Sequence, residues 1–260
     1  MRRSVLLAAA LLAAAAPVAE AKRKPKSDKT AAAAAAQPDH AARAAIARED
    51  ALAQMTFWAQ EHARFPDDPA AAVAFVDALR RGGRAERAVE VAAGALARHP
   101  GDFELTRALG YALVAAGRGG EAVQPLMAAT ATMPSDWQTR VALGVALDQA
   151  GRSGEARRAY EQALAIAPNE PSILTNLGVS HLMAGEAAKA EALLRKAAAL
   201  PGATAQTRQN LAIALGLQGR FAEAEQLARV DLPPQVVADN MTYLRALLSD
   251  GRRWGDLKTE

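Results

Sequence analysis

The amino-acid sequence predicts an all-α protein, a right-handed superhelical α-solenoid built from repeated helix–turn–helix units. Glycine recurs every 34 residues at five places, and alanine recurs with the same period five residues further on. A period of this length is typical of stacked two-helix units. The composition agrees, because 51% of the residues are apolar but only 4% are aromatic, and strands favour aromatic and β-branched residues. The periodic residues are Gly83, Gly117, Gly151, Gly185 and Gly219, followed by Ala88, Ala122, Ala156, Ala190 and Ala224.

Residues 1–21 are predicted to be a cleaved signal peptide. Arg2 and Arg3 give a positive start, and the apolar run from Val5 to Ala16 is too short to span a bilayer comfortably. Pro17 ends the run, and Ala19 to Ala21 provides small residues around a cleavage site. An uncleaved membrane anchor is the alternative. Because the chain has no cysteine, we expect an exported periplasmic protein that is not a lipoprotein, with full secretion as the alternative.

Positive charge is concentrated just after this segment. The formal net charge is +3, and five basic residues lie between positions 22 and 29. Residues 22–39 are predicted to be a disordered, basic and Ala-rich linker, because they offer no apolar face to bury. This tail suits contact with an anionic membrane surface or with peptidoglycan, or it is only a solvated linker. The rest of the chain has no basic stripe and no platform of aromatic residues, so nucleic acid is not an expected partner.

A capping helix is predicted over residues 40–66, followed by five units within residues 67–238. The helix is expected to run from near His40 to Phe65 and to end at Pro66. The units are expected to begin at residues 69, 103, 137, 171 and 205. The second helix of the fifth unit is expected to be short. A final helix is expected from about Pro234 to Asp250, and residues 239–260 are assigned to this C-terminal cap and its tail.

Each unit is numbered here from 1 to 34, and small residues recur at three of these positions. Position 8 is Gly or Ala in the last four units, position 20 is the periodic alanine, and position 27 is alanine in four units. Small residues let two helix backbones approach, and a larger side chain would overpack each contact by about 1–3 kcal/mol. Position 15 is the periodic glycine, which is predicted to end the first helix with a positive φ.

These matches fall in phase over about 170 residues, and on this basis the chain resembles the tetratricopeptide-repeat family. The resemblance implies an extended concave surface that binds protein or peptide partners.

The C-terminal third carries a narrower resemblance. The run RQNLAIALGLQGRFAEAEQLA covers residues 208–228, and Asp231-Leu232-Pro233-Pro234 and then Asn240, Tyr243 and Leu244 follow it. Together with Phe57-Trp58-Ala59 ahead of the first unit, these residues are similar to the TadD family of tight-adherence (Flp) pilus assembly.

The narrower resemblance implies a non-catalytic, exported scaffold whose partners are pilus and secretin assembly components. Family members are often lipoproteins, and this chain departs from them because it has no cysteine. The alternatives are an adaptor of another cell-envelope complex, such as one for polysaccharide export, and a general periplasmic assembly chaperone.

The first helix of each unit is predicted to line the concave groove, mainly at positions 2, 5, 9 and 12. The lining has an apolar centre with polar flanks, which suits an amphipathic helix or an extended apolar segment. Packing of the same apolar residues against neighbouring helices is the alternative. The predicted groove residues are Arg107, Tyr111, Val145, Asp148, Thr175, Val179, Leu182, Gln209 and Ile213.

The sequence contains no recognisable catalytic, cofactor-binding or metal-binding constellation. The four histidines are not spaced as pairs of ligands, and cysteine is absent. The densest glycine cluster, Gly117-Arg118-Gly119-Gly120, fits an inter-helix turn better than a phosphate-binding loop. We therefore expect a protein that is not an enzyme and that needs neither cofactor nor metal.

Overall fold

The computed structural model describes residues 39–249, and every regular element in that range is helical. The predicted α-solenoid of helix–turn–helix repeats is confirmed. The predicted signal peptide, the linker up to residue 38 and the charged end from residue 250 onward lie outside the described residues. Within residues 39–249, no helix has the length and apolar character needed to cross a bilayer.

Thirteen α-helices occupy the described range. Helices α1 and α2 precede the repeats, α3 to α12 form the five pairs, and α13 follows them. Their bounds are α1 His40–Ala45, α2 Ala51–Arg64, α3 Pro69–Arg81, α4 Ala85–Arg98, α5 Phe103–Ala115, α6 Gly119–Thr132, α7 Trp137–Gln149, α8 Ser153–Ile166, α9 Pro171–Met183, α10 Ala187–Ala198, α11 Ala205–Gly216, α12 Phe221–Ala228 and α13 Pro234–Ser249.

The N-terminal segment is not the single helix that the sequence predicts. After α1, a short 3-10 turn at Ile46–Arg48 leads to Glu49, whose backbone is extended with φ −84° and ψ 167°. Asp50 then starts α2, because its carboxylate accepts a hydrogen bond from the Ala53 N–H at 2.8 Å. Asp favours this capping geometry over a helix interior. The prediction of one helix from His40 to Phe65 is therefore wrong at Glu49.

Arg43 ties α1 to α2 and to the first unit. Its guanidinium lies 2.6 Å from the Glu61 carboxylate and 2.7 Å from that of Asp68. It also lies over the rings of Trp58 and Phe65, at 5.7 and 5.6 Å from their centroids. Burial opposes ionisation of Asp68, but hydrogen bonds from Arg43 and from backbone N–H groups hold the pKa of this carboxyl below its ordinary value. Because Asp68 also caps α3, the N-terminal helices are joined to the repeats.

The five units begin at the predicted residues. The first helices of the five units are α3, α5, α7, α9 and α11. They start at residues 69, 103, 137, 171 and 205. The periodic glycine after each first helix has a φ between 71° and 77°, a conformation that residues with a Cβ rarely adopt. Helix α12 has only eight residues. Turn residues 229–231 follow it, and Pro233 and Pro234 prevent a helix from continuing beyond Leu232. Arg208 holds the chain after α12 through two hydrogen bonds to Asp231, at 2.8 and 2.6 Å.

Small residues lie where the two helices of a unit approach each other. All five periodic alanines have no exposed surface. In units two to four, the glycine at position 8 faces a large side chain at position 24, on the second helix of the same unit. A Cβ at any of these glycines would overlap that side chain, so the glycine sets the distance between the helices. The pairs are Gly110 with Leu126, Gly144 with Tyr160, and Gly178 with Leu194.

Candidate functional site

Three cavities beside the first helices of the units contain residues at the predicted groove positions 2 and 5; another, of about 280 Å³, lies between α10, α11 and α12, away from those positions. The first lies between α3, α5 and α7 and has a volume of about 460 Å³. The second, of about 150 Å³, lies between α9 and α11, and the third, of about 90 Å³, lies between α11 and α13. Residues at positions 2 and 5 contribute to the lining of all three of these cavities.

Arg80 is the only charged residue among those of the described range, 39–249, that line the first cavity. Its guanidinium lies 5.4 Å from the centroid of the Tyr111 ring. Its carboxylate partner is Asp77 at 3.3 Å, and because both side chains are more than one-third exposed, this ion pair is weak. Within the described residues the buried Nε of Arg80 has no hydrogen-bond partner. The cavity therefore offers a cation among apolar walls. Its lining residues are Arg80, Tyr111, Val114, Ala115, Gln138, Val141 and Ala142.

A chain of hydrogen bonds fixes Tyr111 at this cavity. The Thr139 hydroxyl donates to Asp136 at 2.6 Å, so the Tyr111 hydroxyl donates to Thr139 Oγ1 at 2.9 Å. Arg107 lies 3.4 Å from Asp136, also pairs with Glu104, and stacks 5.8 Å from the Tyr111 centroid. Burial opposes ionisation of Asp136, but hydrogen bonds from Thr139 and Arg107 hold its pKa below the ordinary value. Burial raises the pKa of Tyr111, which keeps its hydroxyl protonated and able to donate.

The second cavity has polar walls whose groups already bond to one another. The Thr175 hydroxyl donates to the Pro171 carbonyl at 2.8 Å, so the Thr207 hydroxyl at 3.0 Å donates to Thr175. The Asn176 amide donates to the Ser172 carbonyl at 2.9 Å. These hydroxyl and amide donors are therefore already used within the protein.

The third cavity is apolar inside and carries side-chain amides at its mouth. Helix α13 closes one side, so this cavity exists only because a helix follows the last unit. Its lining residues are Gln206, Gln209, Ala212, Ile213, Ala228, Leu232, Asn240, Met241 and Leu244.

The structure brings only some of the predicted groove residues to these cavities. Arg107 lies beside the first cavity, where it stacks on Tyr111. Val145 and Val179 are half-buried and line none of the three cavities. The predicted residues that line a cavity are Tyr111, Thr175, Gln209 and Ile213.

The prediction that Asp148 and Leu182 line the groove is wrong. Both side chains are buried, with 9% and 4% of their surface exposed. Both occupy position 12 near the end of a first helix, and their side chains turn into the core, whereas Arg80 and Val114 at the same position line the first cavity. Asp148 accepts hydrogen bonds from the hydroxyls of Tyr160 at 3.2 Å and Ser180 at 3.1 Å. Leu182 packs in an apolar cluster with Leu194 and its neighbours. Neither side chain is open to a partner in a groove.

Sequence reasoning missed Arg80 and Asn240 as lining residues. Arg80 holds position 12 of the first unit, so the same numbering applied to that unit would have found it. Asn240 lies on α13, outside the repeats, and the 34-residue period carries no signal for how that helix packs. No group of three or more potential metal-ligating side chains occurs among residues 39–249. The arrangement offers a cation, aromatic faces and amides, which are groups that bind a ligand.

Comparison with known proteins identifies the repeats. One model of the tetratricopeptide repeat matches residues 73–136 and 141–204, and a second matches residues 204–232. The structure is similar to TTC0263, a thermophilic TPR protein of Thermus thermophilus, with 22% identity, coverage of 68% of this chain and 98% of that one, and a TM-score of 0.57. It is also similar to MamA of Desulfovibrio magneticus RS-1, with 21% identity, coverage of 60% and 89%, and a TM-score of 0.53. No curated protein sequence matches the chain. Because the identities are this low, the similarity to the two structures shows a shared fold alone.

Proposed function

Because the chain belongs to the tetratricopeptide-repeat proteins, with repeat models matching more than half of its length, we propose that it is a scaffold that binds a segment of another polypeptide along its first helices. Repeat proteins of this kind bind protein partners in general. The observation that carries the proposal is the 460 Å³ cavity between α3, α5 and α7. A concave, mainly apolar site with a few polar groups is the usual form of a binding site.

The contacts at this cavity favour a ligand with both apolar and polar groups. Val114, Val141 and Ala142 offer apolar contact, and Gln138 and Arg80 offer hydrogen-bond donors at its edge. An amphipathic helix or an extended apolar segment presents both kinds of group.

For the finer role, we propose assembly of the tight-adherence (Flp) pilus, with pilus and secretin components as partners. The similarity of residues 208–228 and of the Asp231-Leu232-Pro233-Pro234 run to the TadD family supports this role. A predicted signal peptide and the absence of cysteine support a periplasmic protein that is not a lipoprotein. An adaptor for another envelope complex, such as one for polysaccharide export, and a general periplasmic assembly chaperone are the alternative roles.

Affinity capture with the full-length chain tests both levels of the proposal. The double variant Tyr111→Ala/Val141→Asp changes two residues that line the cavity, and it should lose its captured proteins while its far-UV circular dichroism stays helical. The matched control is Arg158→Ala, on the exposed side of α8, which should capture as the parent does. Capture that survives the double variant would move the binding surface elsewhere. Captured proteins that include no secretin or pilus component would overturn the pilus role and leave the binding face in place.

A further inference from the structure

The fifth unit departs from the others at the contact between its two helices. In units two to four, positions 8 and 24 pair a glycine with a large side chain. The first unit reverses the sizes, with Val76 at position 8 and Ala92 at position 24, and both are fully buried. The fifth unit has Ala212 and Ala228 at these positions, so neither partner is large. Both alanines line the third cavity, which is the space that a larger side chain would otherwise fill.

The inside of this cavity, called the socket below, is apolar. Leu232 lies on the chain that links α12 to α13, Met241 and Leu244 come from α13, and Ile213 comes from α11. The mouth carries the amides of Gln209 on α11 and Asn240 on α13, together with Gln206. Among residues 39–249, no charged residue lines the socket, so its electrostatic match is an uncharged group.

We propose that the socket takes one branched aliphatic side chain from a partner segment that lies in an extended conformation across α11 and α13. The proposal rests on the proposed function, since it names the chemistry that one end of the same binding face recognises. An apolar cavity of about 150 Å³ binds benzene, and the socket, at about 90 Å³, suits a smaller group such as the side chain of Leu, Ile or Val. A charged side chain would lose its hydration there without gaining a counter-charge.

The amides at the mouth select an extended segment over a helix. Among the described residues, the side-chain amides of Gln209 and Asn240 have no hydrogen-bond partner. Each amide offers donors and an acceptor, which match the free N–H and C=O groups of an extended peptide. A helical partner has already used those backbone groups internally. The partner is therefore a stretch of extended chain with an aliphatic residue at its anchor point.

Small probes test the socket without knowledge of the partner. N-acetyl-leucine N-methylamide carries one aliphatic side chain between two peptide groups, and the glycine and aspartate analogues carry the same peptide groups without it. Titration of the full-length protein, followed by methyl NMR, should shift the signals of Ile213, Met241 and Leu244 with the leucine probe. The glycine and aspartate probes should need at least five-fold higher concentration for the same shift. Equal responses to all three probes would overturn the proposal.

Ala228→Leu would place a leucine side chain inside the socket. It shows whether the response to the probe can be lost while the protein stays folded. The variant should have a melting temperature at or above that of the parent, because it fills a void, and it should lose the response to the leucine probe. Ala222→Leu makes the same change on an exposed side of α12 and should keep the response. If Ala228→Leu does not fold, Ala212→Val provides a smaller filling of the same space. A leucine response that persists in a folded, filled variant would overturn the proposal.

The two proposals fail in different ways. If partner capture is lost in Tyr111→Ala/Val141→Asp but is intact in Ala228→Leu, the binding face stands and the socket is overturned. If the leucine probe binds the socket but the protein captures no partner, the socket stands and the proposed scaffold function is overturned.

Discussion

Units two to four and unit five have the same backbone plan but pair different side chains at the same two positions. In the central units, a glycine on the first helix receives a large side chain from the second helix. In the fifth unit, two alanines meet and leave a cavity of about 90 Å³ beside them. The repeat period therefore determines where the helices start and turn. The sizes of the side chains at positions 8 and 24 decide whether a cavity remains beside the contact between the two helices of a unit.

The central pairs differ in polarity as well as in size. The Tyr160 ring that covers Gly144 also places its hydroxyl against the buried carboxylate of Asp148, and Ser180 of the next unit donates to the same carboxylate. Burial and the neighbouring carboxylate raise the pKa of Tyr160, so the hydroxyl stays protonated as the donor. In the fifth unit, position 12 is Gly216, which has no side chain for such a contact. Polar as well as apolar contacts therefore hold units three and four together.

Gly144→Ala should have the largest effect on stability. The new Cβ would overlap the Tyr160 ring, and the ring is held by its hydrogen bond to Asp148. We expect a loss of about 3 kcal/mol in the free energy of unfolding, measured by urea denaturation. Gly154→Ala is the control, because a Cβ there meets nothing within 4 Å and alanine is the better helix former. A loss below about 1 kcal/mol would show that the helices do not approach closely at this position.

Asp148→Ala should cost about 2 kcal/mol, because it leaves the buried hydroxyls of Tyr160 and Ser180 without their acceptor. Thermal and urea unfolding of the variant would measure the loss. The control is Asp77→Ala, since the exposed pair of Asp77 with Arg80 should contribute less than about 1 kcal/mol. Equal losses in the two variants would mean that the buried carboxylate adds nothing specific to the central units.

A size swap in the first unit tests whether the two positions are coupled. Val76→Gly and Ala92→Leu should each destabilise the protein, and the double variant recreates the pairing of a glycine with a leucine found in units two and four. We expect the double variant to be more stable than the sum of the single losses by about 1 kcal/mol. Urea unfolding of the parent, the two single variants and the double variant measures this coupling. Strict additivity would mean that the sizes at positions 8 and 24 are independent.

The junction between units four and five should show a smaller, pH-dependent effect. Burial opposes ionisation of Glu191, but hydrogen bonds from Arg195, Gln218 and Arg220 lower its pKa to about 2, against an ordinary value of 4.5. A carboxyl with a depressed folded-state pKa stabilises the protein above the unfolded value, and this stabilisation is lost as the pH falls from about 4.5 towards 2.

Glu191→Gln should remove this dependence. From pH 6 to pH 3, the difference in unfolding free energy between the parent and the variant should become measurably smaller. The decrease should not exceed about 1 kcal/mol, because solvent reaches the arginine partners. Urea unfolding of both proteins at the two pH values measures the change. A difference that is constant with pH would show that Glu191 is not ionised against these partners in the folded protein.

The repeats could be predicted from the sequence because the turn and the helix contacts each require one residue type. A turn with positive φ requires glycine at Gly117, and a fully buried helix contact requires alanine at Ala122, so a single chain shows the period. The break before Asp50 was not predictable from the same signal, since one capping carboxylate decides it and no repeat marks it. The N-terminal helices lie outside the period and follow local rules instead.

The candidate site was predictable only in part, because position within a helix does not determine how far a side chain turns into the core. Tyr111 and Gln209 reach cavities as the numbering predicts, but Asp148 bends inward to the Tyr160 hydroxyl. The socket depends on two alanines that are 16 residues apart in the sequence, and its presence becomes visible only when positions 8 and 24 are compared together.

Site-specific photo-crosslinking in cells tests the binding face itself. A photoreactive amino acid would replace Gln138, which is exposed and lines the first cavity, or Arg158, which is exposed on α8. A face formed by the first helices predicts a crosslinked polypeptide from position 138 and none from position 158. Crosslinks from position 158 alone would place the partner on the second helices and reject a first-helix binding surface.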